Sequence, residues 1–131
     1  ALEGRTLKDA LEKMIREYQT LSNLQVDLRY EWVDVDMDVM IEDTIFRVIQ
    51  ESMTNAVRHG HASRMTLHFF EDEEDYLIEL QDNGVGFETL TYGYGLKQMM
   101  ERISILGGQL QFESRDGFFT HVSLPKYKEG R

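Results

Sequence analysis

The sequence predicts an α+β fold in two layers, one helical layer of about three helices over one face of a mixed sheet of about five strands. Two observations carry this. Three stretches repeat their apolar residues at helical spacing and five short ones alternate apolar with polar, and the two kinds follow one another without regular βαβ alternation. The 131 residues contain no internal repeat, linker or low-complexity segment, so a single domain spanning 1–131 is expected, long enough to bury a core without disulfides or metals.

Leu7, Leu11, Met14, Ile15, Tyr18 and Leu21 define a helix over 6–21, with Thr6 and Asp9 as its N-terminal signal. Ser22-Asn23 breaks it, and Val26 to Trp32 alternates as a half-buried strand does. Asp34-Val-Asp36-Met-Asp38 imitates the start of a calcium loop. The sixth position is Val39 where glycine is needed and the twelfth is Ile45 where glutamate is needed, so a helix N-cap among the aspartates is the better reading. From Val39, the residues Ile41, Ile45, Val48, Ile49, Ser52 and Ala56 keep one face of a long helix that Gly60 terminates.

Two strands follow, Arg64 to Phe70 and Tyr76 to Asp82, joined by the acidic run Glu71 to Asp75, a solvated hairpin turn. Leu96, Met99, Met100, Ile103 and Leu106 mark a further helix after Gly93-Tyr-Gly95, ended by Gly107-Gly108. Gln109 to Ser114 and Phe118 to Leu124 are strands around the hairpin turn Asp116-Gly117. Leu110 and Phe112 share one face, and Phe118, Thr120, Val122 and Leu124 share another.

A net charge of −10 argues against a nucleic-acid surface or an anionic membrane patch. An anionic ligand must then be met by helix N-termini, backbone amides, a metal ion or a few placed cations. The absence of cysteine excludes disulfides, thiolate nucleophiles and Cys-based zinc sites and is compatible with the cytosol. No run of 18 apolar residues occurs, so a direct membrane contact is not expected of this chain.

Against that background three polar groups stand out. Glu51, Asn55 and Arg58, at steps of four and three, form a column on one face of the long helix, suited to a metal ion or phosphate but also readable as a solvated face. His59 lies by helical phase near the apolar stripe, where packing or capping competes with ligand contact. Period-two counting puts Asp82 on the core side of its strand, where an unpaired carboxylate is costly and needs a donor. Thr120 falls on the same side, whereas His68 and His121 fall on the opposite one as sheet-surface residues. Gly84 and Gly86 follow Asp82 and let the chain turn and a ligand approach. Gly93-Tyr-Gly95 opens a helix whose free amides favour phosphate, though no dinucleotide fingerprint is formed, because the run is Gly-x-Gly-x-x-Gln with no strand leading into it.

Taken together, Glu51-x-x-x-Asn55-x-x-Arg58-His59, Asp82-x-Gly84-x-Gly86, Gly93-x-Gly95-Leu96 and Gly117-x-x-Thr120 resemble the boxes of the ATPase superfamily of gyrase, the heat-shock 90 chaperones, histidine kinases and mismatch-repair proteins. The run Gly95-Leu96-x-x-Met99-x-Glu101-Arg102 to Gly107-Gly108 is most similar to the ATP-binding domain of two-component sensor histidine kinases with a very short lid, as in nitrate sensors. The resemblance spans Thr6 to Pro125 and implies the two-layer Bergerat-type fold.

It further implies that Asp82 accepts a hydrogen bond from the adenine amino group beside Thr120, that Asn55 ligates Mg²⁺, and that Glu51 stands by the metal as base or orienter. Arg58 and His59 become phosphate-side candidates, and Gly84, Gly86, Gly93, Gly95 and Leu96 line the nucleotide. Lys97 and Arg102 are read as solvated or salt-bridged. ATP and Mg²⁺ are the implied cofactors. In that family the acceptor is a histidine followed by an acidic residue on a separate dimerisation helix. The four histidines here precede Gly60, Ala62, Phe69 and Val122, so the acceptor is expected upstream, with a response regulator downstream and the domain in the cytoplasm. Phe119 stands where the terminal box usually has glycine. An anti-sigma-type serine kinase shares Asn-Ala-x-x-His and the glycine boxes and remains the alternative, while a degenerate docking module would carry damaged boxes. Met99 to Gly108 favours the histidine kinase.

Overall fold

A computed structural model of the chain describes residues 2, 4–33, 35–86 and 94–126. Its elements run α1 (Leu7–Leu21), β1 (Gln25–Tyr30), α2 (Val39–Arg58), β2 (Arg64–Glu71), β3 (Asp75–Asp82), α3 (Tyr94–Ile105), β4 (Gln109–Ser114) and β5 (Phe118–Pro125). Three helices and a five-stranded sheet are the expected inventory. The sheet has the order β1-β2-β3-β5-β4, with β1 parallel to β2 and every other pair antiparallel.

Local chemistry sets the boundaries. Thr6 caps α1, its hydroxyl accepting from the Asp9 amide at 3.1 Å. Asp38 caps α2 by accepting from the Met40 amide at 2.8 Å, which makes it the capping aspartate of the run 34–38. α3 closes with Gly107 at φ +80° while the Gly108 amide reaches back to the Ile103 carbonyl, a Schellman ending. Between β2 and β3 the Asp72 side chain accepts from the Glu74 and Asp75 amides, at 2.9 and 2.7 Å, and these bonds hold its carboxyl below the usual range.

Two expectations are corrected and a third is refined. β1 stops at Tyr30, not Trp32, because Trp32 leaves the ladder to bury its ring against Phe69 and Tyr76 while its indole N–H donates to the Phe70 carbonyl. Gly60 does follow the end of α2, just past the C-cap His59, but without taking the left-handed conformation itself, which falls to His61 at φ +52°. Finally, Leu110 pairs with Val122 and Phe112 with Thr120, so the apolar residues of β4 and β5 share one face of the sheet.

That face carries the core. Ile45, Val48, Ile49, Met53 and Ala56 of α2, Leu7, Leu11 and Met14 of α1, and Met99 and Ile103 of α3 are buried with Met65, Leu67, Phe69, Ile78, Leu80, Val122 and Leu124 of the sheet. His68 and His121 sit on the opposite face, where His68 meets Glu31 and His121 meets Glu79 at 3.1 Å. The register brings the start of β2, the end of β3 and the start of β5 to one end of the sheet, Met65 beside Asp82 and Gln81 beside Phe119. The C-terminal end of α2 arrives at the same end.

Candidate functional site

Ser52, Met53 and Ala56 are buried, and this pins the rotation of α2 so that Glu51 and Asn55 are left half-buried at the border of the helix layer. Arg58, one step further, is exposed. His59 is exposed too and does not join the apolar stripe. It is the C-cap residue, its amide donating to the Asn55 carbonyl at 2.9 Å, because the helix has run past its covering layer by that point.

Asp82 is 6 % exposed. One of its oxygens, Oδ1, accepts from the Gly84 amide at 2.8 Å and from the Phe118 amide at 3.0 Å. The donor that the sequence called for is therefore supplied by backbone, and Oδ2 has no partner among the described residues. Thr120, 2 % exposed, shares the inner face, opposite Leu80 in the register.

The glycines have separate tasks. A Cβ on Gly84 would lie 2.5 Å from the Gly60 carbonyl oxygen, which also accepts from the Val85 amide at 3.0 Å, so the loop after β3 rests directly on the end of α2. Gly86, at φ +66°, sits against Ser114 and Gly117; Gly117, at φ +132°, would place a Cβ 2.0 Å from the Asp82 carbonyl oxygen. Gly95 is the second residue of α3, and its Cβ position lies 1.9 Å from Glu51 Oε1. The carboxylate of α2 thus packs on the backbone of α3's first turn, where the helix dipole favours negative charge. Leu96 is half-buried and packs against the core. Gly93 and the lid stretch between Gly86 and Gly93 lie outside the described residues.

Two clefts flank these groups. One, of about 140 Å³ between α2 and α3, is lined by Glu51, Gly95, Gln98 and Arg102 among others. The other, of about 320 Å³, is lined by Arg64, Thr66, Gln81, Asp82, Asn83, Arg115 and Asp116. One end of the sheet brings the elements of Asp82, Thr120 and Asn55 together.

Asn83 has a part that sequence reasoning missed. Its Oδ1 accepts from the Ser63 and Arg64 amides, both at 2.9 Å, and its Nδ2 donates to the Ser63 hydroxyl at 2.9 Å, so it ties the α2–β2 loop to the end of β3. The signal was an Asx residue between Asp82 and Gly84.

Residues 40–128 match the family model described as histidine kinase-, DNA gyrase B-, and HSP90-like ATPase. The chain belongs to this ATPase family. It is 30 % identical over 126 residues to the sensor histidine kinase LiaS of Bacillus subtilis, covering 94 % of this chain and 34 % of that protein. It is 33 % identical over 130 residues to the signal transduction histidine-protein kinase/phosphatase UhpB of Salmonella typhimurium, covering 95 % of this chain and 26 % of that protein. The chain thus spans between about a quarter and about a third of the length of these relatives. Among solved structures, the histidine kinase AdeS of Acinetobacter baumannii superposes with a TM-score of 0.79 at 20 % identity, over 92 % of this chain and 65 % of that one, which establishes the shared fold.

As a member of this ATPase family the chain has ATP as its nucleotide. The donor set suits Mg²⁺ better than a protein-caged cation. Among the described residues no three His, Asp or Glu side chains converge, and Asn55 and Glu51 offer one amide oxygen and one carboxylate at a half-open border. Mg²⁺ characteristically takes few protein ligands and completes its shell with phosphate oxygens and water.

Proposed function

We propose that this domain holds Mg-ATP at the sheet end where α2, β3 and β5 meet, and presents its γ-phosphoryl group to a histidine on a separate dimerisation helix of the parent sensor kinase. The observation that carries the reading is the Asp82 carboxylate. It is buried on the core face, with Oδ1 saturated by two backbone amides and Oδ2 left over, which suits a single hydrogen-bond donor such as the adenine amino group. Thr120, on the same face, completes that wall.

Asn55 and Glu51 would hold Mg²⁺, which would supply charge neutralisation for phosphoryl transfer. The side chains around it have modest tasks. Asp82 fixes the base, Gly84 and Gly86 let the backbone come close, the α3 N-terminus with Gly95 offers amides to phosphate, and Arg58, exposed on α2 beyond Asn55, is the candidate cation for phosphate. Glu51, seated on that N-terminus, would orient the metal or take the proton of the incoming imidazole. His59, Gly93 and Leu96 complete the set of residues we assign to the nucleotide. The partners are the parent's own dimerisation and acceptor domain and a downstream response regulator, and a cytoplasmic location goes with ATP as donor.

Thermal unfolding with a non-hydrolysable ATP analogue tests the site. A ligand at a hundred times its Kd stabilises by about 2.7 kcal/mol, and the shift should grow with Mg²⁺. An equal shift in Asp82→Asn overturns the adenine assignment. Supplying the acceptor domain and following phosphate onto histidine rather than serine separates this reading from an anti-sigma-type kinase.

A further inference from the structure

The sheet has an open edge on the side away from the nucleotide elements. β1 pairs only with β2, and Gln25 and Glu31 donate their amides inward, to the Ser63 and Phe69 carbonyls at 2.9 and 2.7 Å. In a parallel ladder alternate residues face alternate edges, so Val26, Leu28 and Tyr30 direct their N–H and C=O groups outward. The Val26 amide confirms the phase, because it is met by Gln19 Oε1 of α1 at 2.9 Å. Leu28 and Tyr30 have no such cover among the described residues. Neither proline nor a bulge blunts the strand, the usual protections of an exposed edge.

A cleft of about 440 Å³ runs along this edge, lined by Lys8, Glu12, Ile15 and Arg16 of α1 and by Leu28 and Tyr30. Its charge pattern is specific. Lys8 and Arg16 are exposed and make no ion pair among the described residues, Lys8 resting 5.9 Å from the centre of the Tyr30 ring. Between them Glu12 is half-buried beside the apolar Ile15 and Leu28. The two exposed cations flanking an acid over an apolar floor favour carboxylates at both ends of a visitor, while two whole chains of net charge −10 repel each other.

We propose that this cleft takes an extended segment of a partner protein as a sixth strand, hydrogen-bonded to Leu28 and Tyr30 and carrying carboxylates at both ends of an apolar centre. Strand addition of this kind draws affinity from main-chain bonds and specificity from pockets for alternate side chains. The spacing follows from geometry. Lys8 and Arg16 are eight residues apart on α1, about 12 Å at 1.5 Å per residue, which a strand covers in about four residues. The segment therefore reads acidic, any, apolar, any, acidic, with the three named side chains on one face. The central position is apolar because Glu12 would repel an acid there.

The test is a titration of the ¹⁵N-labelled chain with the blocked pentapeptide Glu-Thr-Ile-Thr-Glu. The Leu28 and Tyr30 amides should shift and become protected from hydrogen exchange, with Kd in the millimolar range or below. The variant Lys8→Glu/Arg16→Glu, altered only on an exposed face, should bind roughly tenfold more weakly. Leu28→Pro, which removes an outward N–H at an edge position that tolerates proline, should abolish the protection. The proposal is overturned if Lys-Thr-Ile-Thr-Lys binds as well, if the shifts fall outside the β1 edge and α1, or if the charge-reversed variant binds like the parent. Concentration-dependent shifts at β1 without peptide would also overturn it, in favour of self-association. Nucleotide is absent throughout, so the outcome is independent of the ATP site.

Discussion

Replacing Gly95 by alanine should leave the fold intact and remove most of the phosphotransfer. The new Cβ would stand 1.9 Å from Glu51 Oε1, whereas ordinary contact begins at 3.4 Å, so the carboxylate must withdraw by about 1.5 Å. It can do so, being the end of a flexible side chain. Alanine gains up to about 1 kcal/mol of helix propensity over glycine, and the displaced carboxylate loses about 0.3 to 1 kcal/mol of interaction with the helix N-terminus. The two terms nearly cancel, and Tm should move by no more than about 4 °C. Misplacing a catalytic group by an ångström costs on the order of a hundredfold in rate. The assay is phosphoryl transfer from ATP to the acceptor domain supplied in trans, with Tm read in parallel. Glu51→Asp shortens the side chain by one carbon–carbon bond, about 1.5 Å, so Gly95→Ala/Glu51→Asp should recover part of the lost rate. Undiminished transfer in Gly95→Ala, or a loss of stability above about 3 kcal/mol, would refute the reasoning.

Three further outcomes follow from the same contacts. Gly117→Ala places its Cβ 2.0 Å from the backbone oxygen of Asp82 at φ +132°, where nothing flexible can yield; urea unfolding should show a loss of at least about 2 kcal/mol. Asn83→Ala leaves the Ser63 and Arg64 amides without their acceptor and should cost about 1 to 3 kcal/mol in the same measurement, with backbone exchange quickening at those two amides. Tyr30 is pushed up to about 12, first by burial and then by the nearby Glu42 carboxylate. Since the unfolded phenol ionises near 10, the protein keeps this contribution below pH 10 and loses it as pH rises towards 12. Absorbance titration of Tyr30→Phe should lack the late-ionising tyrosine.

Periodicity was enough for the eight elements, because each segment that buries one face announces it at a period of two or 3.6. Asp82 and Thr120 were legible for the same reason, parity alone placing them on the inner face. What parity could not show was that a backbone amide from the start of β5, 36 residues away, would satisfy Asp82. At His59 helical phase left packing and capping side by side, and capping is the outcome, since phase assigns a direction but not whether anything still covers the helix at that height. Trp32 fitted a strand by alternation and left it because a buried indole N–H needs an acceptor, found only in the cross-strand neighbourhood of Phe70. The glycines were read as permissive turns, yet at Gly84 and Gly95 the requirement is for close approach between parts distant in the chain.

The contact of Gly84 with Gly60 is lopsided, and mutational tolerance should inherit the asymmetry. A Cβ built on Gly84 would drive into the Gly60 carbonyl at 2.5 Å, but one built on Gly60 comes nearest to the backbone of Ala56 at the end of α2, its carbonyl oxygen at 3.1 Å. Of two glycines that touch, one is a fixed letter and the other a convenience. In a saturation library selected for folding, small residues should survive at position 60 while position 84 admits glycine alone.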